Sequence, residues 1–99
     1  MFYIKVMSSY RYVVALCDSE LLGKRFESGK FQLDVRESFY KGEEVDEQEA
    51  LRIMRKMAAE DATFNIVGKK AVSLSLKEGI ILKEGIGEID GIPFALVLL

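Results

Sequence analysis

The run Asp46-Glu47-Gln48-Glu49-Ala50-Leu51-Arg52-Ile53-Met54-Arg55-Lys56-Met57-Ala58-Ala59-Glu60 fixes the helical half of the fold. Asp46 stands at the N-cap position with Glu49 three residues on, a capping-box pattern, and Ala50, Leu51, Met54, Met57 and Ala58 recur at helical spacing. Gln48, Arg52, Arg55, Lys56 and Ala59 fall on the opposite face. Such a helix has one apolar stripe and needs a sheet or a second helix to bury it. A second helix is expected from about Ile66 to Glu78, with Gly68 in its first turn. Ala71, Val72, Ser75 and Leu76 would face inward, Lys69, Lys70, Ser73 and Lys77 outward, and Gly79 would close it.

Strands flank this helical centre. Phe2 to Met7 and Tyr12 to Cys17 are rich in β-branched and aromatic residues and are separated by Ser8-Ser9-Tyr10-Arg11, which predicts a β-hairpin. Asp18-Ser19 caps a short turn of helix that Gly23 stops. Phe31-Gln32-Leu33-Asp34-Val35 alternates with period two, so Gln32 and Asp34 should point to solvent from a third strand. At the carboxy end, Ile80-Ile81-Leu82 predicts a short strand. Ile86 to Ile89, the turn Asp90-Gly91 and Ile92 to Leu99 predict a second hairpin, with Pro93 at a strand start, bulge or edge. The expectation is a single globular α+β domain over residues 1–99, a mainly antiparallel sheet with amino- and carboxy-terminal hairpins covered by two principal helices.

Composition narrows the chemistry. With 99 residues, 49% hydrophobic and 30% charged, the chain can bury a modest core. It lacks an apolar run long enough for a transmembrane helix and an export signal at its start, so no membrane role and a cytoplasmic location are expected. The absence of histidine removes the commonest general base and zinc ligand, and the lone Cys17 lies in an apolar run where a buried thiol is ordinary. No catalytic residue, metal site or cofactor is implied. Glu43-Glu44-Val45-Asp46-Glu47 does not follow a calcium-loop spacing and is better explained by the helix start that it precedes. A net charge of −2 argues against binding nucleic acid by bulk charge while leaving room for a local patch.

Two sets of residues remain as candidates. Gly68-Lys69-Lys70 could hold an anion at a helix start, with Asn65 nearby as either the cap of that helix or a ligand contact. The signal is short, and the ordinary alternative is a close-packed glycine followed by solvated lysines. Lys24 and Arg25 after a helix stop, and Arg52, Arg55 and Lys56 on one helix face, could contact RNA or protein; the alternative is a salt-bridged surface in which Glu49 pairs with Arg52 and Glu60 with Lys56. Tyr10 and Tyr40 are expected in exposed loops, where aromatic rings can stack on bases.

Four blocks, Cys17-Asp18-Ser19-Glu20-Leu21-Leu22-Gly23-Lys24-Arg25-Phe26, Phe39-Tyr40-Lys41-Gly42-Glu43, Asn65-Ile66-Val67-Gly68 and Gly91-Ile92-Pro93-Phe94-Ala95, span nearly the whole chain. Their order and spacing resemble an archaeal family of small free-standing proteins, the domain of unknown function DUF424. The resemblance implies no activity and carries over no catalytic residue; it implies an association with translation genes. A histidine follows the proline in the family pattern, where this chain has Phe94, so histidine chemistry is absent at that place.

The reading these features support is a non-enzymatic binding module with a protein or ribonucleoprotein partner, linked to translation. The alternative is a small anionic-ligand binder or weak enzyme built on Asn65, Gly68, Lys69 and Lys70, in which a lysine would have to supply any base. Because Phe94 to Leu99 are all apolar, the carboxy-terminal strand is either central in the sheet or the interface of a homodimer.

Overall fold

The β-branched and aromatic runs at the amino end pair as their alternation requires. In the computed structural model, which describes residues 1–98, β1 (Phe2–Met7) and β2 (Val13–Asp18) are antiparallel, with Phe2 opposite Asp18 and Met7 opposite Val13. A single 3-10 turn over Ser19–Leu21 follows, and Gly23 leaves it at φ 83°, a left-handed conformation that glycine adopts without steric cost. Asp18 does not cap this turn with its side chain.

The next elements are β3 (Arg25–Ser28), β4 (Phe31–Asp34), α1 (Glu37–Tyr40), β5 (Glu43–Val45) and α2 (Glu47–Ala59). After them come β6 (Thr63–Val67), α3 (Lys69–Lys77), a 3-10 turn over Lys83–Gly85, β7 (Ile86–Ile89) and β8 (Ile92–Val97). Six strands form one sheet in the order β5-β1-β2-β6-β8-β7, and β3 and β4 form a separate two-stranded ribbon. Among the described residues only the β2–β6 pair is parallel, so the α+β, mostly antiparallel character expected from the sequence holds.

Period-two alternation gives the sheet two different faces. Phe2, Ile4, Val14, Leu16, Phe64 and Ile66 pack beneath Ala50, Met54 and Met57 of α2 and Ala71, Val72 and Leu74 of α3. Ala15, Cys17 and Val67 face the other way and are covered by Leu21, Val35 and Tyr40. Each fully buried large side chain, such as Leu16 or Phe64, contributes roughly 1.5–3 kcal/mol.

Several expectations are corrected. The second helix starts at Lys69, because Ile66 and Val67 end the inner strand β6, which runs through Gly68 into the helix with no polar turn between them. On α3 the inward leucine is Leu74, whereas Leu76 is exposed, and on α2 Ala58 is exposed. In β4, Phe31 is exposed and only Leu33 and the following Val35 turn inward. Ile80-Ile81-Leu82 is not a strand: the N–H groups of Ile80 and Ile81 both donate to the Ser75 carbonyl, at 2.9 and 3.4 Å, so this backbone closes α3 and buries Ile81 as an anchor. The carboxy-terminal hairpin forms across Asp90-Gly91, at φ 52° and 79°, a two-residue turn of the kind that suits strand twist.

β8 lies between β6 and β7, so it is an inner strand. The run expected to reach Leu99 ends as a strand at Val97, and Leu99 falls outside the described residues. Leu96 and Leu98 remain exposed and share a groove of about 500 Å³ with Leu82.

Candidate functional site

The start of α3 is built from residues half a chain apart. Gly68 holds φ 113°, and its N–H donates to the Pro93 carbonyl at 2.9 Å. The carboxylate of Asp18, at the end of β2, sits over the helix start and accepts from the N–H groups of Lys70 at 3.1 Å and Ala71 at 2.7 Å. A Cβ at position 68 would collide with that carboxylate, so both the backbone angle and the space require glycine. Asp18 is only 3% exposed. Burial pushes its pKa above the ordinary aspartate value, while the two amides and the Lys70 charge pull it back.

The amides proposed from sequence as an anion cradle therefore already hold an anion, the protein's own. Asn65 is not the helix cap. It lies within β6, opposite Ala15 of β2 and Leu96 of β8, and alternation turns it away from the helical face on which Phe64 and Ile66 lie. Lys69 and Lys70 are brought together with Ser73 and Lys77 along a groove of about 470 Å³ that also meets Asp46 and Glu47. Asn65 and Gly68 do not line it.

The arginines on α2 are engaged. Arg52 holds Glu49 through two hydrogen bonds of 2.6 and 2.8 Å, as the spacing predicts, and this pairing keeps the Glu49 carboxyl below its usual range. Arg55 reaches across to Glu78 at the end of α3 with bonds of 2.9 and 2.8 Å, a fork that ties the two helices. The expected Lys56–Glu60 ion pair is absent among the described residues. Arg25 belongs to the ribbon that packs on the opposite sheet face, where it pairs with Glu27 at 3.0 Å, and Lys24 leads into that ribbon, so they do not extend the α2 patch.

What the fold does assemble is a groove of about 340 Å³ beside α2, lined by Val6, Tyr12, Arg52, Ile53, Lys56 and Glu60, among others. An adjoining depression of about 400 Å³ holds Ser8, Tyr10, Arg11, Tyr12, Glu60 and Asp61. Tyr10 is fully exposed. The turn is tied to the sheet at its end, where Thr63 N–H donates to the Tyr12 carbonyl at 2.9 Å. Tyr40, expected in an exposed loop, is instead buried edge-on against Phe39, with its hydroxyl pKa pushed up to about 12 by burial. Arg11 and Tyr12 were not singled out from the sequence; the aromatic-basic alternation Tyr10-Arg11-Tyr12 in a turn is the signal that marks them.

Cys17 is buried, and desolvation raises its thiol to about 12, far from a nucleophile's range. Among the described residues no group of carboxylate or cysteine side chains is arranged to hold a metal, and no helix is long and apolar enough to cross a membrane.

The family model "Protein of unknown function (DUF424)" matches residues 7–99. The chain belongs to this family. The crystal structure of an uncharacterized conserved protein from Methanopyrus kandleri is similar to this DUF424 chain, with a TM-score of 0.85 and 25% sequence identity over 97% of this chain and 89% of that one. No protein of curated function matches. The DUF424 match spans Asn65 to Gly68 and the Tyr10 turn alike, so it covers both candidate regions.

Proposed function

We propose that this DUF424 protein is a non-enzymatic binding module of the archaeal translation or ribonucleoprotein machinery, acting in the cytoplasm. The observation that carries the reading is the groove beside α2, where Tyr12, Arg52 and Lys56 meet and Tyr10 and Arg11 stand at its mouth. Aromatic rings next to cationic side chains are the groups that contact RNA by stacking and by phosphate pairing. Affinity capture from an archaeal extract, with and without nuclease, tests it. Co-purification of ribosomal or other RNA-associated proteins with the wild type, and its loss in Tyr10→Ala, is the expected result; capture of general chaperones alone under both conditions contradicts it.

A second reading, a small anionic ligand, keeps one specific support: Lys69, Lys70, Ser73 and Lys77 share the groove at α3. Any such ligand would use these side chains, because the Lys70 and Ala71 amides are taken by Asp18. A thermal-shift screen with phosphorylated metabolites separates the two readings, since only this one expects stabilisation that Lys69→Ala abolishes. Self-association belongs to the same set of proposals: the groove that Leu82, Leu96 and Leu98 share is the surface a homodimer would use at the carboxy-terminal strand, and light scattering across a concentration series measures it.

A further inference from the structure

β8 is an inner strand for most of its length and an edge strand at its end. The two-residue turn Asp90-Gly91 makes Ile89 and Ile92 the hydrogen-bonded pair that closes the hairpin. The N–H and C=O groups of Ile92, Phe94 and Leu96 therefore point toward the β7 side, and those of Ala95 and Val97 toward β6. The Pro93 carbonyl, which accepts from Gly68 N–H at 2.9 Å beyond the end of β6, agrees with this phase. β7 begins at Ile86, opposite Ala95. Past that point Leu96, and Leu98 as the next residue in the phase, turn their backbone groups to the groove of about 500 Å³ instead of to a strand. Among the described residues no backbone hydrogen bond joins either of them to the segment 80–85 across that groove. The opposite edge of the sheet is built differently: β5 exposes Glu43 and Glu44, and such charges keep an edge from pairing with another chain. At the end of β8, Leu96 is 56% exposed, Leu98 74% and Leu82 71%, and Glu84 is the one charged residue lining the groove. Unpaired backbone groups and exposed apolar side chains thus coincide at one place.

We infer that this end of β8 pairs antiparallel with the same segment of a second copy of the chain, about a two-fold axis at Val97. The pairing rests on the reading of the leucine groove as a homodimer surface and gives that surface its register. With Val97 on the axis, Leu96 exchanges N–H and C=O bonds with the second copy's Leu98, and Leu98 with the second copy's Leu96, so every backbone group that β7 leaves unpaired is used. An axis at Leu96 would set Leu98 against Phe94, whose outward groups β7 already holds. Alternation turns Leu96 and Leu98 to the same sheet face, away from Ala95 and Val97, so the two exposed leucines meet across the axis as a cross-strand apolar pair. From Ile92 to Leu98 the strand carries no charge, and a two-fold through it brings no like charges of its own together. These features select a second copy over an unrelated extended peptide, because the segment is complementary to itself and the symmetric pair closes without offering this edge to a third chain. The ladder is short, so the dimer dissociates on dilution.

The experiment is sedimentation equilibrium of the full chain across a concentration series, joined to cysteine cross-linking. The mass should rise from one chain to two and no further. Leu96→Lys, at an exposed position, should leave a monomer at every concentration. Leu98→Pro keeps an apolar side chain but removes the N–H that the second copy's Leu96 would accept, and should weaken association about tenfold. Val97→Cys provides a readout that does not depend on the proline variant: facing residues of a non-hydrogen-bonded pair lie about 4.5 Å apart, within disulfide reach, so mild oxidation should yield a covalent dimer while the buried Cys17 stays silent. A dimer that Leu96→Lys abolishes, but that Leu98→Pro leaves intact and Val97→Cys fails to cross-link, overturns the strand pairing and leaves the groove as the homodimer surface. A dimer that survives Leu96→Lys has its interface elsewhere, and a single-chain mass throughout excludes self-association; in either case both the pairing and the homodimer reading fall. Growth beyond two chains overturns the closed two-fold pair.

Discussion

The two principal helices begin in opposite ways. α2 is capped from within its own sequence, since the Asp46 side chain accepts from the Glu49 N–H at 2.9 Å. α3 is capped by Asp18, a residue that lies on a strand and reaches it only after the chain has folded. The first cap is exposed to water and contributes to the helix alone; the second is buried and joins β2 to α3 across the sheet. The same electrostatic need, an anion at free amides, is met once by a neighbour and once by a distant strand. Where it is met from a distance, an apparent ligand site in the sequence is already filled.

Breaking the distant cap should therefore cost more than breaking the local one. Gly68→Ala should have the largest effect, about 4 kcal/mol in chemical denaturation, because it combines a left-handed backbone with a collision against Asp18. Asp18→Ala should cost about 3 kcal/mol by leaving two amides without a partner, one of them at the fully buried Ala71. Asp18→Asn should lose less, roughly 1–2 kcal/mol, since its amide oxygen still accepts one bond while its NH₂ group opposes the other donor. Asp46→Ala should cost about 1 kcal/mol, the usual loss of an exposed cap. A larger loss at Asp46 than at Asp18 would reverse the comparison.

The two caps also differ in acid. Because burial raises the Asp18 pKa in the folded state, the folded protein holds that proton more tightly than the unfolded chain does. This titration adds stability below the ordinary aspartate value, and the gain is lost as pH rises through the raised folded value. The stability difference between wild type and Asp18→Asn should accordingly be greatest in acid and shrink toward neutral pH; growth of the difference with pH would contradict the assignment. The Arg55–Glu78 fork has the opposite sign, since Arg55 holds the Glu78 carboxyl down: its contribution is present above the ordinary glutamate value and lost as pH falls through the depressed one. Arg55 is exposed and Glu78 half-buried at the surface, so Arg55→Ala should give the smallest effect of the series, and added salt should weaken it.

The same division between local and distant decides what was legible in the sequence. α2, the β1–β2 hairpin and the Asp90-Gly91 hairpin are encoded by short contiguous stretches of chain, and they form close to where the sequence places them, with strand ends shifted by a residue or two. β6 was hidden because Ile66 and Val67 run straight into Gly68 and α3 with no polar turn, and its strand character comes from β2 on one side and β8 on the other. Asn65 invited a capping role by position, but the cap came from Asp18, 53 residues before Ala71. Arg52 and Lys56 were visible as a helix face, whereas their meeting with Tyr12 depends on the β1–β2 turn folding over the end of α2, which no short pattern records. Tyr40 was misplaced for the same reason: its burial comes from the second sheet face, which Leu21 and Val35 complete.

Nitrogen-15 amide spectra of the protein, titrated first with inorganic phosphate and then with an unstructured RNA hexamer, test the filled helix start of α3 and the groove beside α2 together. RNA is expected to shift the amides of Tyr10, Arg11, Tyr12 and Lys56, and the amides of Lys70 and Ala71, held by Asp18, are expected to stay where they are with either titrant. Movement of the Lys70 and Ala71 amides with phosphate, with the Tyr10 turn silent toward RNA, would contradict both expectations.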